Sequence, residues 1–163
     1  MSIGGQTRGG LRNLIVRNCT FDGTESGIRM KAGRGQGGLV ENCQYQHLTM
    51  KGVKVPIFIT SYYPSIPNEV ENDAAQPVND QTPIWRNIRI EDVTATGGPE
   101  VGRIIGVAEM PVQDLVLNDV KITAKKGLKI VNAKGVKFVD SEFEVESGEK
   151  IVLFNADVTG IEK

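Results

Sequence analysis

The chain has 163 residues, of which 24% are charged and 39% hydrophobic, and its formal net charge is −1. This length and composition are typical of one soluble globular domain with a core of ordinary size. The near-zero charge gives no general attraction to nucleic acid or to a membrane surface, and no run of eighteen apolar residues predicts a transmembrane helix. We therefore predict neither a nucleic-acid nor a membrane partner.

Five segments of the chain share one pattern of polar and apolar residues. Each opens on a small or polar residue, continues with apolar residues at alternating positions and closes on a second polar residue. Alternation with period two predicts strands rather than helices, and nineteen glycines favour many turns. The opening column is Asn13, Asn42, Asn87, Asp114 and Gly135, and the closing column is Asn18, His47, Asp92, Asp119 and Asp140.

Each segment is followed by turn residues and a second short β-like run, such as "SGIRMK" or "VPIFIT". Repeats of roughly 20–30 residues built from short strands predict an all-β fold, the parallel β-helix, here with about five to six coils. A β-sandwich would also explain short strands, but it would not explain the recurring polar columns. The predicted inward pairs are Leu14 and Val16, Cys43 and Tyr45, Ile88 and Ile90, Leu115 and Leu117, and Val136 and Phe138.

One long insertion interrupts this repeat. Residues 62–83 are rich in Pro, Asn and Asp, and we expect them to form a loop that projects from one coil. The remaining repeats are continuous, so residues 1–163 are predicted to form a single β-helix domain.

The residues that most often carry chemistry are interpreted as structural. His47 is the only histidine and falls in the closing polar column, so we expect a stacked, hydrogen-bonded turn residue. Cys19 and Cys43 fall in different columns, which disfavours a disulfide and suits small core residues. No cluster has metal-ligand spacing, and no glycine motif has the context of a phosphate cradle, so we predict no metal and no cofactor.

The segment "GIRMKAGRGQGG" (27–38) carries the main functional candidate. Strand alternation directs Ile28 and Met30 inward, so Arg29 and Lys31 point outward, roughly 6–7 Å apart. A glycine-rich turn follows, which leaves room for another group to approach the backbone.

The next coil places further residues beside these two cations. Phe58 and Thr60 are expected to be their neighbours, followed by Tyr62 and Tyr63. Arginine binds a carboxylate through two donors, lysine adds a point charge, and tyrosine can stack on a sugar ring. The pattern fits a carboxylate-bearing sugar, and it fits equally a solvated Arg and Lys on an ordinary outer strand.

Basic residues are concentrated in the first part of the chain. They lack the interleaved aromatic residues of a nucleic-acid-binding face, but they would favour an anionic polysaccharide. The residues are Arg8, Arg12, Arg29, Lys31 and Arg34.

The stretch from "MSIGG" through "LRNLIVRNCTFDGTESGIRMKAGRGQGGLVENCQYQHLTMKGVKVPIFITSYYP" resembles the C-terminal part of the polygalacturonase-type glycoside hydrolases (family 28). These are pectin-degrading enzymes with a right-handed parallel β-helix, and the resemblance continues more weakly through "TPIWRNIRIEDVTAT". The most specific match is "GIRMK" for the family's Gly-Val/Ile-Arg-Ile-Lys motif. It implies that Arg29 and Lys31 hold a galacturonate carboxylate next to the scissile bond. Tyr62 is matched to the tyrosine that completes this subsite, with Tyr63 as the second choice.

The same resemblance implies that the catalytic residues lie upstream of this sequence. They belong to an Asn-Thr-Asp segment, an Asp-Asp pair and a Gly-His-Gly histidine, and the Ser-Ile-Gly that follows that histidine matches residues 2–4. Inversion needs a carboxylic acid and a carboxylate roughly 6.5–9.5 Å apart. Since neither of these two carboxyl groups has a counterpart in this sequence, we expect a truncated polygalacturonase-like protein that is inactive alone.

Two other functions remain open at this point. The chain could be a stand-alone β-helix module that forms a homo-oligomer through its exposed N-terminal coil. It could also be a weak acidic-polysaccharide-binding protein that recognises galacturonate oligomers. The family is usually secreted or periplasmic, whereas the N-terminus "MSIGGQTRGG" lacks the apolar core of a signal peptide, so localisation stays open.

Overall fold

The fold is a right-handed parallel β-helix, as predicted. A computed structural model describes residues 1–161; the last two residues of the predicted single domain, 162–163, lie outside the described part, and the domain assignment stays a prediction. A 3₁₀ turn, Val70–Asn72, is the only helical element among the described residues. The strands are β1 (Ser2–Gly5), β2 (Leu11–Asp22), β3 (Ser26–Ala32), β4 (Leu39–Lys51), β5 (Val55–Thr60), β6 (Ile84–Ile105), β7 (Val112–Val139), β8 (Glu142–Val145) and β9 (Ile151–Thr159).

The strands stack in register from coil to coil. In one column β2 pairs with β4, β4 with the first half of β6, and β6 with the first part of β7. In the other column β1 pairs with β3, β3 with β5, and β5 with the second half of β6. All of these pairings are parallel, and neighbouring coils are therefore about 4.8 Å apart.

The polar columns mark the bends of the coils. Every residue of the predicted opening and closing columns has a positive φ, between 46° and 65°. Asparagine, aspartate and glycine tolerate this left-handed conformation better than other residues do, which explains their recurrence. The side chains also stack, since the side-chain amide of Asn87 donates to Oδ1 of Asn42 at 2.6 Å.

His47 lies in the closing column, as predicted. Its φ is 54°, its side chain is exposed, and Nδ1 lies 2.6 Å from Oδ2 of Asp92 in the next coil. A third column was not predicted: Asn132 and Asn155 also have positive φ, and Asn155 donates to Asn132 at 2.6 Å. These polar ladders hold successive bends in register.

The core lies inside the coils. The inward residues of β4, β6 and β7 are fully buried, whereas Leu14 and Val16 of β2 are only partly buried because β2 pairs on one side alone. Cys43 is a free, buried core cysteine, and burial raises the pKa of its thiol to about 11. Cys19 is free and partly buried. No helix among the described residues is long and apolar enough to cross a membrane.

The long loop begins after Thr60 and ends before Ile84, close to the predicted bounds. Two of its residues also contact the coils. Val70 of the loop is buried and packs with Tyr62 in a second apolar cluster. Glu71 of the loop forms an ion pair with Lys129 on β7. The loop is therefore fastened to the side of the coils.

Candidate functional site

Strand β3 presents Arg29 and Lys31 on its outer face. Ile28 and Met30, which alternate with them, are fully buried, so the strand pattern fixes the direction of both cations. In the register with β5, Arg29 is opposite Phe58 and Lys31 is opposite Thr60, as predicted. The Arg29 guanidinium carbon lies 5.7 Å from the centre of the Phe58 ring.

Neither cation forms a salt bridge within the part of the chain that the structure describes. The pKa of Glu25 is lowered chiefly by its hydrogen bond with Lys54, and the charge of Arg29 contributes least to this shift. In addition, Nε of Arg29 is sheltered from solvent and has no acceptor. A buried donor without an acceptor is costly unless a ligand supplies one. The site therefore has unused capacity for an anion.

Tyr63 is the tyrosine that completes this face. The Lys31 Nζ lies 4.1 Å from the centre of the Tyr63 ring, and 37% of the Tyr63 residue surface is exposed. The ring lies against Gly5, where an added Cβ would overlap its edge. Arg29, Lys31 and Tyr63 therefore form one outward-facing group, which we call the cation face.

The structure does not bring Tyr62 to the cation face, although Tyr62 was the first choice from the sequence. The residue is 8% exposed, and its hydroxyl donates to Oδ2 of Asp73 at 2.7 Å. The reason is that β5 ends at Thr60, whose hydroxyl oxygen accepts the Tyr62 backbone N–H at 3.0 Å. This local turn ends the strand alternation and turns Tyr63, not Tyr62, toward Lys31.

Arg34 is also not free, because the loop and the segment after β6 supply two carboxylates. Its Nε and Nη2 donate to Glu109 at 2.7 and 3.0 Å, and its Nη1 lies 2.7 Å from Asp73. The guanidinium carbon lies 5.5 Å from the centre of the Tyr62 ring. We call Arg34, Tyr62, Asp73 and Glu109 the anchor cluster.

The charges of the anchor cluster are mutually stabilised. The hydrogen bond from Tyr62, followed by that from Arg34, lowers the pKa of Asp73. Burial acts to raise the pKa of Glu109, but the hydrogen bonds and the charge of Arg34 together with backbone N–H groups outweigh it, and the pKa lies below its ordinary value. Burial and the bond to Asp73 raise the pKa of Tyr62, so its hydroxyl stays protonated as a donor. All three shifts favour one fixed arrangement at neutral pH.

The anchor cluster should weaken in acid. Because Asp73 and Glu109 have lowered pKa values in the folded state, their contribution is complete above the ordinary values of 3.8 and 4.5 and is lost as pH falls through the folded values. Glu71, paired with Lys129, also has a lowered pKa and adds in the same direction. We expect unchanged hydrogen-exchange protection of the Asn72 and Asp73 amides, which donate to carbonyl oxygens within the loop, from pH 7 to about 5 and a loss below about 4. Protection that falls between pH 7 and 5 would contradict this account.

The glycine turn 33–38 packs against both ends of the long loop. An added Cβ would overlap the Tyr63 carbonyl oxygen at Gly33 and the Pro83 backbone at Gly37. The Gly37 N–H also donates to the Gln81 carbonyl oxygen at 2.9 Å. The predicted room beside the backbone is therefore filled at Gly33 and Gly37 by the two ends of the loop, whereas the space beside Gly35 is open.

Gly33→Ala should displace the start of the loop. The new Cβ would meet backbone atoms of Tyr63, which cannot move as a flexible side chain can, so we expect a loss of about 1–3 kcal/mol in the free energy of unfolding. Gly9→Ala is the matched control, because neither glycine has positive φ and nothing lies within 4 Å of a Cβ at Gly9. Urea unfolding of both variants tests this, and equal midpoints would refute it.

The remaining members of the predicted basic patch have internal partners. Arg12 forms an ion pair with Glu41 at 3.1 Å, and Arg8 donates to the Gly35 carbonyl oxygen. Of the five residues in that patch, Arg29 and Lys31 are the two for which the described residues offer no acceptor. Among residues 1–161, no group of three or more His, Cys, Asp or Glu residues could hold a metal ion.

Comparison with known proteins connects this geometry to one family. The family model described as Glycosyl hydrolases family 28 matches residues 1–144. A polygalacturonase of Prunus persica is 32% identical over 126 residues, and an endo-polygalacturonase of Pectobacterium parmentieri is 28% identical over 132 residues. These matches cover 74% and 81% of the chain but only 30% of each relative, so the chain spans less than a third of their length. No solved structure gives a significant match.

Proposed function

Because the chain belongs to family 28 of the glycosyl hydrolases, we propose that its cation face binds the carboxylate of a galacturonate unit in a pectin-type polysaccharide. The observation that supports this most is the pairing of Arg29 and Lys31 on one face without an acidic partner among the described residues, with Nε of Arg29 sheltered and lacking an acceptor. A ligand carboxylate would supply a negatively charged partner for both cations.

Each residue of the cation face has a distinct part in this binding. Arg29 is suited to donate two hydrogen bonds to the carboxylate, and Lys31 adds a compact positive charge. The Tyr63 ring offers an apolar surface on which a sugar ring can lie. Phe58, opposite Arg29, limits the movement of the guanidinium. In this proposal Tyr63 takes the part first assigned to Tyr62.

We further propose that this chain does not hydrolyse the polymer by itself. A general acid needs a carboxyl group that stays protonated near the working pH. Asp73 and Glu109, the two carboxylates of the anchor cluster, are both bound to Arg34 and have lowered pKa values. They are suited to structure and not to proton donation. The catalytic carboxylates would have to come from another segment or another chain.

Release of reducing ends from polygalacturonic acid during a long incubation tests this second proposal. We expect no release by the chain alone. Lys31→Ala is the control, because it removes a cation of the proposed binding site. Reducing ends that appear with the unchanged chain and vanish in Lys31→Ala would show that an unrecognised carboxylate pair acts here.

Self-association is the second candidate function. Leu14 and Val16 are only partly buried, whereas Cys43 and Tyr45, one coil further on, are fully buried. We propose that a second copy covers this N-terminal coil, since strand edges and apolar side chains favour pairing. Light scattering at tens of micromolar should then give a mass above the 17.7 kDa of one chain. A monomer under those conditions would rule this out.

A further inference from the structure

The anchor cluster joins three segments that are distant in the sequence. Arg34 lies in the turn between β3 and β4, Tyr62 and Asp73 lie in the long loop, and Glu109 follows β6. The Arg34–Glu109 contact spans 75 residues and uses two parallel hydrogen bonds. Two-point binding of this kind fixes orientation as well as distance.

The cluster is also well shielded. The Glu109 side chain is 5% exposed, so its charge depends on Arg34 for compensation. Removing one partner of such a pair leaves an unpaired charge that is partly desolvated. Nη2 of Arg34 also donates to the Ala74 carbonyl oxygen at 3.4 Å, which ties the middle of the loop to the same point. The arrangement is therefore rigid near neutral pH.

This rigid cluster is continuous with the cation face. Tyr62 is held by its ring against Arg34 and by its hydroxyl on Asp73, and Tyr63 is the next residue. On the other side, Gly33 precedes Arg34 and lies directly against the Tyr63 carbonyl oxygen. Tyr62 and Gly33, which lie on either side of the Tyr63 backbone, are therefore both held in place by Arg34. The ring of Tyr63 is thereby held 4.1 Å from the Lys31 Nζ.

We propose that Arg34 is a positioning residue for the carboxylate site: with Glu109 and Asp73 it holds Tyr63 over Lys31, and it affects galacturonate binding only through Tyr63. This inference rests on the proposed function for its binding effect. The placement of Tyr63 itself does not depend on any ligand, and it is tested separately.

The ligand-free test measures the reactivity of Lys31. With Tyr63 in place, the Lys31 amine is shielded on one side, so acetylation by acetic anhydride should be slow relative to the exposed Lys134. In Arg34→Met we expect Lys31 to react several-fold faster relative to Lys134, as measured by peptide mass spectrometry. An unchanged ratio would overturn the proposal, whatever the chain binds.

The binding test is a double-mutant cycle with trigalacturonate. Tyr63→Ala should weaken binding roughly 3- to 10-fold, the effect of losing one ring contact. Arg34→Met should weaken it by a similar factor in the unchanged chain and by less than 2-fold in the Tyr63→Ala background, because coupled residues do not add. Equal losses of affinity in both backgrounds would mean that Arg34 does not act through Tyr63, and the proposal would be wrong.

Tyr62→Phe provides a milder variant if Arg34→Met does not fold. It removes the hydroxyl that donates to Asp73 and keeps the buried ring. We expect a smaller rise in Lys31 acetylation and the same pattern in the cycle. An absence of any change in Lys31 reactivity in a folded Tyr62→Phe would count against the proposal. If the unchanged chain does not bind trigalacturonate, the proposed function fails, while the acetylation ratio still decides the positioning role.

Discussion

Arg29→Gln and Lys31→Met are each expected to weaken binding of trigalacturonate about 10-fold, and the double variant by less than about 100-fold, because both cations hold one carboxylate and their effects do not add. A hydrogen bond to a charged group contributes roughly 1.5–3 kcal/mol, and both cations are partly exposed, so we expect the lower end of that range. Methionine keeps the apolar stem that faces Tyr63, so the loss reports the ammonium group. Isothermal titration calorimetry at low ionic strength measures the effect.

Lys134→Gln is the matched control for these variants. It changes the net charge by the same amount at an exposed position in the bend that follows the second column of strands. We expect less than a 2-fold change, because screening removes most of the effect of a distant surface charge. A comparable loss in Lys134→Gln would mean that binding depends on overall charge and that the cation face is not a site.

Ile90→Ala should cost about 2–5 kcal/mol in the free energy of unfolding. Ile90 is fully buried, with Tyr45 and Leu117 as its neighbours in the coils on either side. Removing its side-chain carbons leaves a cavity between two stacked strands that are held by backbone hydrogen bonds, so the site has little freedom to collapse. Urea unfolding followed by circular dichroism measures the loss.

The control for the core prediction is Ile15→Ala. Ile15 lies on a strand of the same column, but 58% of its surface is exposed. We expect a change below about 0.5 kcal/mol, as for other exposed positions. Similar losses in Ile90→Ala and Ile15→Ala would contradict the assignment of the inward column.

The register of the coils could be predicted because two physical constraints coincide in the sequence. A strand alternates its side chains with period two, and each bend requires a residue that tolerates positive φ. Asn42 and Asn87 satisfy the second constraint directly before the inward residues of their coils, so the columns align even across the long loop. The same logic correctly placed His47, a rarer residue at such a position.

The choice between Tyr62 and Tyr63 could not be made in this way. Period-two alternation holds only within a strand, and the Thr60 hydroxyl redirects the chain at the point where β5 ends. The anchor cluster was also beyond prediction, because Arg34 and Glu109 are 75 residues apart and belong to no repeat. Nothing in the sequence "AGRGQGG" itself indicates that its glycines pack against the long loop. These features depend on contacts between segments and not on local pattern.

If the cation face recognises the carboxylate of a sugar, a change in the ligand alone should abolish binding. The unchanged chain is titrated calorimetrically with trigalacturonate and with the same trisaccharide after reduction of its carboxyl groups to alcohols. We expect binding of the acid that weakens as salt is added, and no measurable binding of the neutral sugar. Equal binding of both sugars, or binding of neither, would contradict it.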